Sequence, residues 1–206
     1  MSNELTPLVT AAGPDVGRAT GFGVGGRGRR GAANIESALE RNRVFSAARG
    51  HEGAVVFPNL RLFVITCLDP RVDPAHFLGL GLSDAMVLRN VGGRVTAEVI
   101  NDVAFIGQIA ENVLPDGPLF EVAVIHHNQC GAGALADDTF RRRYAERIGA
   151  DESTLREHAV IDPTATVARD VERLRSAPAI SPRVTVSGHV YDVLTGLVKT
   201  VIPAGR

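Results

Sequence analysis

Short, mostly apolar runs at residues 61–66, 85–88 and 120–125 alternate with segments whose apolar residues recur at helical spacing, and this alternation restricts the fold more than any other feature. A short continuous apolar run fits a strand covered on both faces, and two-sided cover comes from crossover helices over parallel strands. Residues 96–114 supply one such helix, with Val99, Val103, Ile106, Ala110 and Val113 on one face and Thr96 as N-cap. Pro115, Asp116, Gly117 and Pro118 then break it. Residues 33–48, 74–80, 138–148 and 164–176 also read as helical, and residues 183–190 and 197–202 as a closing strand pair. The pattern predicts an α/β fold with a mainly parallel central sheet flanked by helices. In such sheets the functional residues gather beyond the C-terminal strand ends.

At 206 residues and 45% hydrophobic, the chain suits one domain with a real core. Residues 1–32 read as a flexible Gly-rich tail, and residues 33–206 as one folded domain. Within the tail, residues 21–26 match G-x-G-x-x-G, but residues 11–20 before them read as loop rather than strand, so no dinucleotide site is expected. A net charge of −1 implies no nucleic-acid partner. No apolar run approaches the roughly 18 residues of a membrane span. The N-terminus lacks the basic start and long apolar stretch of a secretory signal, so the cytoplasm is the expected compartment.

The chain has two cysteines, Cys67 and Cys130, and each lies just beyond an apolar run. In a cytosolic chain such a pair points to a metal or a reactive site before a disulfide. His127 precedes Cys130 by three residues, so one turn can supply both. Thiolate and imidazole suit zinc, and three protein ligands leave the fourth position that a catalytic zinc needs for water. By spacing alone the cysteines could equally be small buried apolar residues, with His127 a satisfied core residue. Asp69 and Arg71 follow the first cysteine and stand two residues apart, close enough for the guanidinium to orient the carboxylate, although an ordinary surface ion pair would look the same. His126 adjoins His127 but faces the other way on a strand, which makes it a packing or supporting residue.

Taken together, Cys67-x-Asp69-x-Arg71, Arg89-Asn90-x-Gly92-Gly93 and His127-x-x-Cys130-Gly131, in this order and approximate spacing, resemble the β-class carbonic anhydrase family. Residues 188–196 resemble its closing strand segment, and the likeness spans about residues 35–201. The resemblance implies reversible hydration of carbon dioxide to bicarbonate and a proton by a zinc-bound hydroxide, with zinc on Cys67, His127 and Cys130. It implies that Asp69 and Arg71 form the catalytic dyad, Asp69 binding zinc only in a closed state. The lack of Trp rules out the usual regulatory pocket of closed members, so an open resting site is expected. The resemblance also implies a homodimer or higher homo-oligomer whose N-terminal helices wrap the partner. Two alternatives stand beside it: a carbonyl sulfide or carbon disulfide hydrolase on the same zinc site, and a non-catalytic zinc-binding protein. Asn128 and Gln129, between the ligands, gain no role from the resemblance.

Overall fold

The structure, a computed structural model, describes residues 35–206. The expected tail at residues 1–32 lies outside the described residues. The described chain divides into two units that meet in sequence at Gly50 and His51. The first contains α1 (Glu36–Ala47), which buries none of its residues and leaves Ile35, Leu39, Val44 and Phe45 exposed.

The second unit contains β1 (Leu62–Cys67), α2 (Pro74–Phe77), β2 (Ala85–Asn90), α3 (Ala97–Val113), β3 (Glu121–His127), α4 (Asp138–Ile148), α5 (Glu152–Glu157), α6 (Pro163–Ser176), β4 (Thr185–Tyr191) and β5 (Val198–Gly205). The sheet order is β2-β1-β3-β4-β5, parallel except for the antiparallel β4–β5 pair. The chain therefore steps from β1 outward to β2, then returns to the opposite side of β1 to lay down β3. The order reverses between β1 and β3, and a crevice at such a reversal is where open α/β sheets bind their ligands.

The two sheet faces are unequal. Phe63, Ile65, Val122, Val124 and Val186 pack with Val99, Val103 and Ala110 of α3 and Val167, Val171 and Leu174 of α6 in the main core. The other face holds a smaller cluster of Val64, Ala123 and Ile125 under Phe77, Leu80 and Tyr191. Strand alternation decides which residues go to which side. It places His126 with Val122 and Val124 on the α6 side, and His127 with Ala123 and Ile125 on the other.

Several boundaries differ from the sequence expectation. β3 continues through His126 and His127 because both pair with β4, opposite Val190 and Tyr191. The pairing partner extends this strand where its own apolar run has stopped. α2 is a single turn, and α5 is an unexpected short helix capped by Asp151, which accepts from the Thr154 N–H. Among the described residues no helix is long and apolar enough to cross a membrane.

α6 begins at Pro163 behind Asp162, whose carboxylate accepts from the N–H groups of Thr164 and Ala165. Asp162→Ala leaves those donors unpaired and is expected to lower stability by about 1 kcal/mol. Urea unfolding measures this.

Candidate metal centre

Cys67 is the last residue of β1, and His127 is the last of β3. These strands are parallel neighbours paired from Leu62 opposite Glu121 to Thr66 opposite Ile125, so their ends arrive together. Cys130 follows after a two-residue turn through Asn128 and Gln129. The sulfurs of Cys67 and Cys130 lie 3.9 Å apart, and one ligand atom from each of Cys67, His127 and Cys130 falls within 4.8 Å of the other two. Two sulfurs bound tetrahedrally at about 2.3 Å from one zinc would stand roughly 3.8 Å apart.

The imidazole of His127 is prepared for a cation. Its Nδ1–H donates to the carbonyl of Asn128 at 2.8 Å, which leaves Nε2 as a bare lone pair. That Nε2 is buried and has no hydrogen-bond partner among the described residues. A buried acceptor without a partner is costly unless something fills the place.

The thiols form a coupled pair. Hydrogen bonding with Cys130 lowers the Cys67 pKa to about 4 against the opposing effect of burial, helped by His127 and by the N–H groups of Asp69 and Gly92. The Asp69 N–H reaches the Cys67 sulfur at 3.4 Å. Hydrogen bonding with Cys67 and then burial push Cys130 far the other way. One thiol thus ionises readily and the second resists, because two adjacent thiolates repel unless a positive ion sits between them.

Asp69 stands outside the three-residue cluster, and both its oxygens face Arg71. Arg71 Nε donates to Oδ1 at 3.0 Å and Nη2 to Oδ2 at 2.7 Å, while the Arg71 N–H caps Oδ1 at 2.9 Å. These bonds hold the Asp69 pKa at about 2. A group depressed in this way is ionised above its folded value and loses its pairing only as pH falls through about 2. Arg71 also donates to the Gln129 carbonyl at 3.1 Å.

Four supporting roles escaped the sequence reading. Gln129 adopts a left-handed conformation, φ 53°, which turns its carbonyl toward Arg71. Asn128 donates to Asp192 at 2.8 Å and accepts from the Val193 N–H at 3.0 Å, anchoring the ligand turn to the loop after β4. Arg89 donates to the carbonyls of Cys67 and Asp69 at 3.0 and 2.8 Å and so spans the first ligand loop. Asp170 of α6 receives two bonds from Arg94 and faces His126. Arg89 stood in a recognised motif and could have been singled out. The others depend on long-range pairing that no local pattern signals. His126 is fully buried and faces Gly93 and Asp170, in keeping with a supporting place.

Gly93 shows how tightly the turn after β2 backs the site. It sits at φ +65°, and a Cβ there would lie 2.9 Å from the backbone nitrogen of Cys67 and 2.9 Å from the carbonyl carbon of Thr66. Gly93→Ala is therefore expected to cost well over about 1 kcal/mol, from the positive φ and the backbone clash together. Thermal melting of protein treated with a chelator measures this apart from any metal effect.

Known proteins resemble this chain in sequence and in fold. The family model described as "Carbonic anhydrase" matches residues 62–198. Beta-carbonic anhydrase 1 of Mycobacterium tuberculosis is 29% identical over 157 residues, covering 76% of this chain and 91% of that protein. A carbon disulfide hydrolase of Acidianus sp. is 28% identical, covering 66% of this chain and 75% of its own. The solved carbonic anhydrase of Streptococcus mutans superposes with a TM-score of 0.69 at 30% identity, covering 82% of this chain and 98% of that one.

Proposed function

We propose that this chain, which belongs to the β-class carbonic anhydrase family, carries out the reversible hydration of carbon dioxide to bicarbonate and a proton on one zinc ion held by Cys67, His127 and Cys130. The observation that carries this reading is the buried, unpartnered Nε2 of His127 beside two sulfurs 3.9 Å apart. Three ligands, rather than four, suit catalysis rather than structure. When bound, the ion supplies Lewis acidity that turns a water into a nucleophile toward the carbon of carbon dioxide.

The chain's own residues supply the rest. Asp69 stays ionised at every working pH, and its Oδ2, which takes one bond from Arg71 where Oδ1 takes two, keeps a lone pair to accept a proton-bearing group. It orients the attacking water by that hydrogen bond. Arg71, pinned between Asp69 and the Gln129 carbonyl, prevents the carboxylate from turning toward the ligands, so the site rests open. The cytoplasm is the compartment that two free thiols suit best.

The carbon disulfide hydrolases among the relatives give a specific reason to test linear sulfur-containing substrates as well. The mycobacterial carbonic anhydrase is matched over more of both chains, which favours carbon dioxide. Side-by-side assays decide: carbon dioxide hydration should exceed hydrolysis of carbonyl sulfide and carbon disulfide, and the reverse ranking would overturn the substrate.

Elemental analysis should find one zinc per chain in the wild type and little in Cys67→Ala or Cys130→Ala. Asp69→Asn should keep its zinc while kcat/KM falls by about 10²-fold or more, on the scale of a lost orienting or proton-transfer group. The pH profile of kcat/KM should rise with pH to a midpoint above 7. Two thiolates formally cancel the ion's charge, whereas neutral imidazole ligands leave it intact and bring a bound water to a pKa near 7. Because Asp69 titrates near 2, a midpoint well below 7 would contradict this charge argument and could not be assigned to Asp69.

A homodimer or larger homo-oligomer is the expected assembly. Ile35, Leu39 and Val44 of the α1 region are exposed, and a second copy offers the surface to cover them. Light scattering should show no active monomer, and removal of residues 1–30 should leave assembly unchanged.

A further inference from the structure

We propose that Asp170 is a positioning residue of the metal centre, its single buried carboxylate holding the ends of β1 and β3 at the spacing an ion requires. Asp170 lies on α6, well beyond the nearest ligand, Cys130, in sequence, and is 1% exposed. Arg94 grips it with two bonds, Nε to Oδ2 at 2.7 Å and Nη2 to Oδ1 at 3.0 Å, and the Val95 N–H adds a third at 3.2 Å. Arg94 is itself 4% exposed and also donates to the Glu157 carbonyl. These bonds fix the segment immediately after the Val91–Gly93 turn.

That turn backs the first ligand. Asn90 closes it by donating to the Arg94 carbonyl and accepting from the Arg94 N–H, each at 2.8 Å. Its Gly93 packs against the Cys67 and Thr66 backbone with no room for a side chain. A shift of Arg94 would therefore be passed to the end of β1.

The second arm reaches β3. His126 Nε2 lies 3.2 Å from Asp170 Oδ2 and 3.1 Å from the Gly93 carbonyl. Both neighbours are acceptors, so Nε2 carries the hydrogen and donates to them. His126 directly precedes His127, and being 0% exposed it has no freedom to move alone. One carboxylate thus ties a segment behind Cys67 to the residue beside His127, from the core side of the sheet. Burying a carboxylate is expensive, and here Arg94, Val95 and His126 offset that cost in full geometry.

The inference rests on the zinc reading above, and the wild type measured alongside keeps the two apart. Zinc affinity would be measured by competition with a chelator, and ligand geometry by the visible and near-ultraviolet bands of the cobalt-substituted protein. Two variants are compared. Asp170→Asn breaks the charge pair. The double variant Arg94→Met with Asp170→Leu removes both charges at similar volume, an exchange that buried pairs commonly tolerate, and it decides the matter if the single variant does not fold. Val167→Ala, a fully buried change on the same helix, serves as the control.

The expected result is a 10- to 100-fold loss of zinc affinity, the usual range for groups that orient ligands, with altered cobalt bands in the Asp170 variants. Val167→Ala should lower the melting temperature and leave affinity and spectrum as in the wild type. A folded double variant with wild-type affinity and cobalt bands would overturn the role of Asp170 and leave the zinc site standing. A wild type that binds no zinc would instead overturn the site itself.

Discussion

Two thiolates 3.9 Å apart repel strongly inside a protein. At an effective dielectric constant near 20 the repulsion is about 4 kcal/mol. Cys67 and Cys130 avoid that repulsion by sharing a proton: hydrogen bonding with Cys130 lets the first sulfur ionise early, and the second, also buried, holds its proton. A divalent cation removes the conflict, and the spare lone pair of His127 completes its surroundings. The remaining architecture serves to bring these three groups to one point and to keep water-activating chemistry oriented beside them.

The sheet does this with its topology. β1 and β3 are adjacent although β2 and α3 intervene in sequence, so Cys67 and His127 meet at the reversal of strand order. The main core fixes both strands from the α3 and α6 side through Phe63, Ile65, Val122 and Val124. A polar buried cluster of Arg94, His126 and Asp170 continues that layer to the strand ends, where apolar packing stops. On the outer side Arg89 and Arg71 bind the carbonyls and carboxylate of the first ligand loop, so the loop carries little freedom.

The strands and their chemistry-bearing ends were legible because burial and function leave strong local marks. Apolar runs located β1 and β3, and Cys67, His127 and Cys130 stood at their exits, where the structure brings them together. The facing of His126 followed from strand alternation alone. What escaped was set by distant partners. β3 gains its last two residues from pairing with β4, and α5 forms on a six-residue stretch with little apolar pattern. Asp170 carries no signal of its own in the helical segment 164–176, since only the fold places Arg94 and His126 against it. Gln129 gave no hint of its left-handed backbone, a conformation usually advertised by Gly or Asn.

Zinc-edge X-ray absorption on the purified enzyme at neutral pH tests the central claim most directly, because it reports the atoms around the ion without reference to activity. Cys67, Cys130, His127 and one water would give two sulfur neighbours at about 2.3 Å and two nitrogen or oxygen neighbours at about 2.0–2.1 Å. A shell with no sulfur, or with four, would show that the ion is held elsewhere or between chains, and would contradict the site.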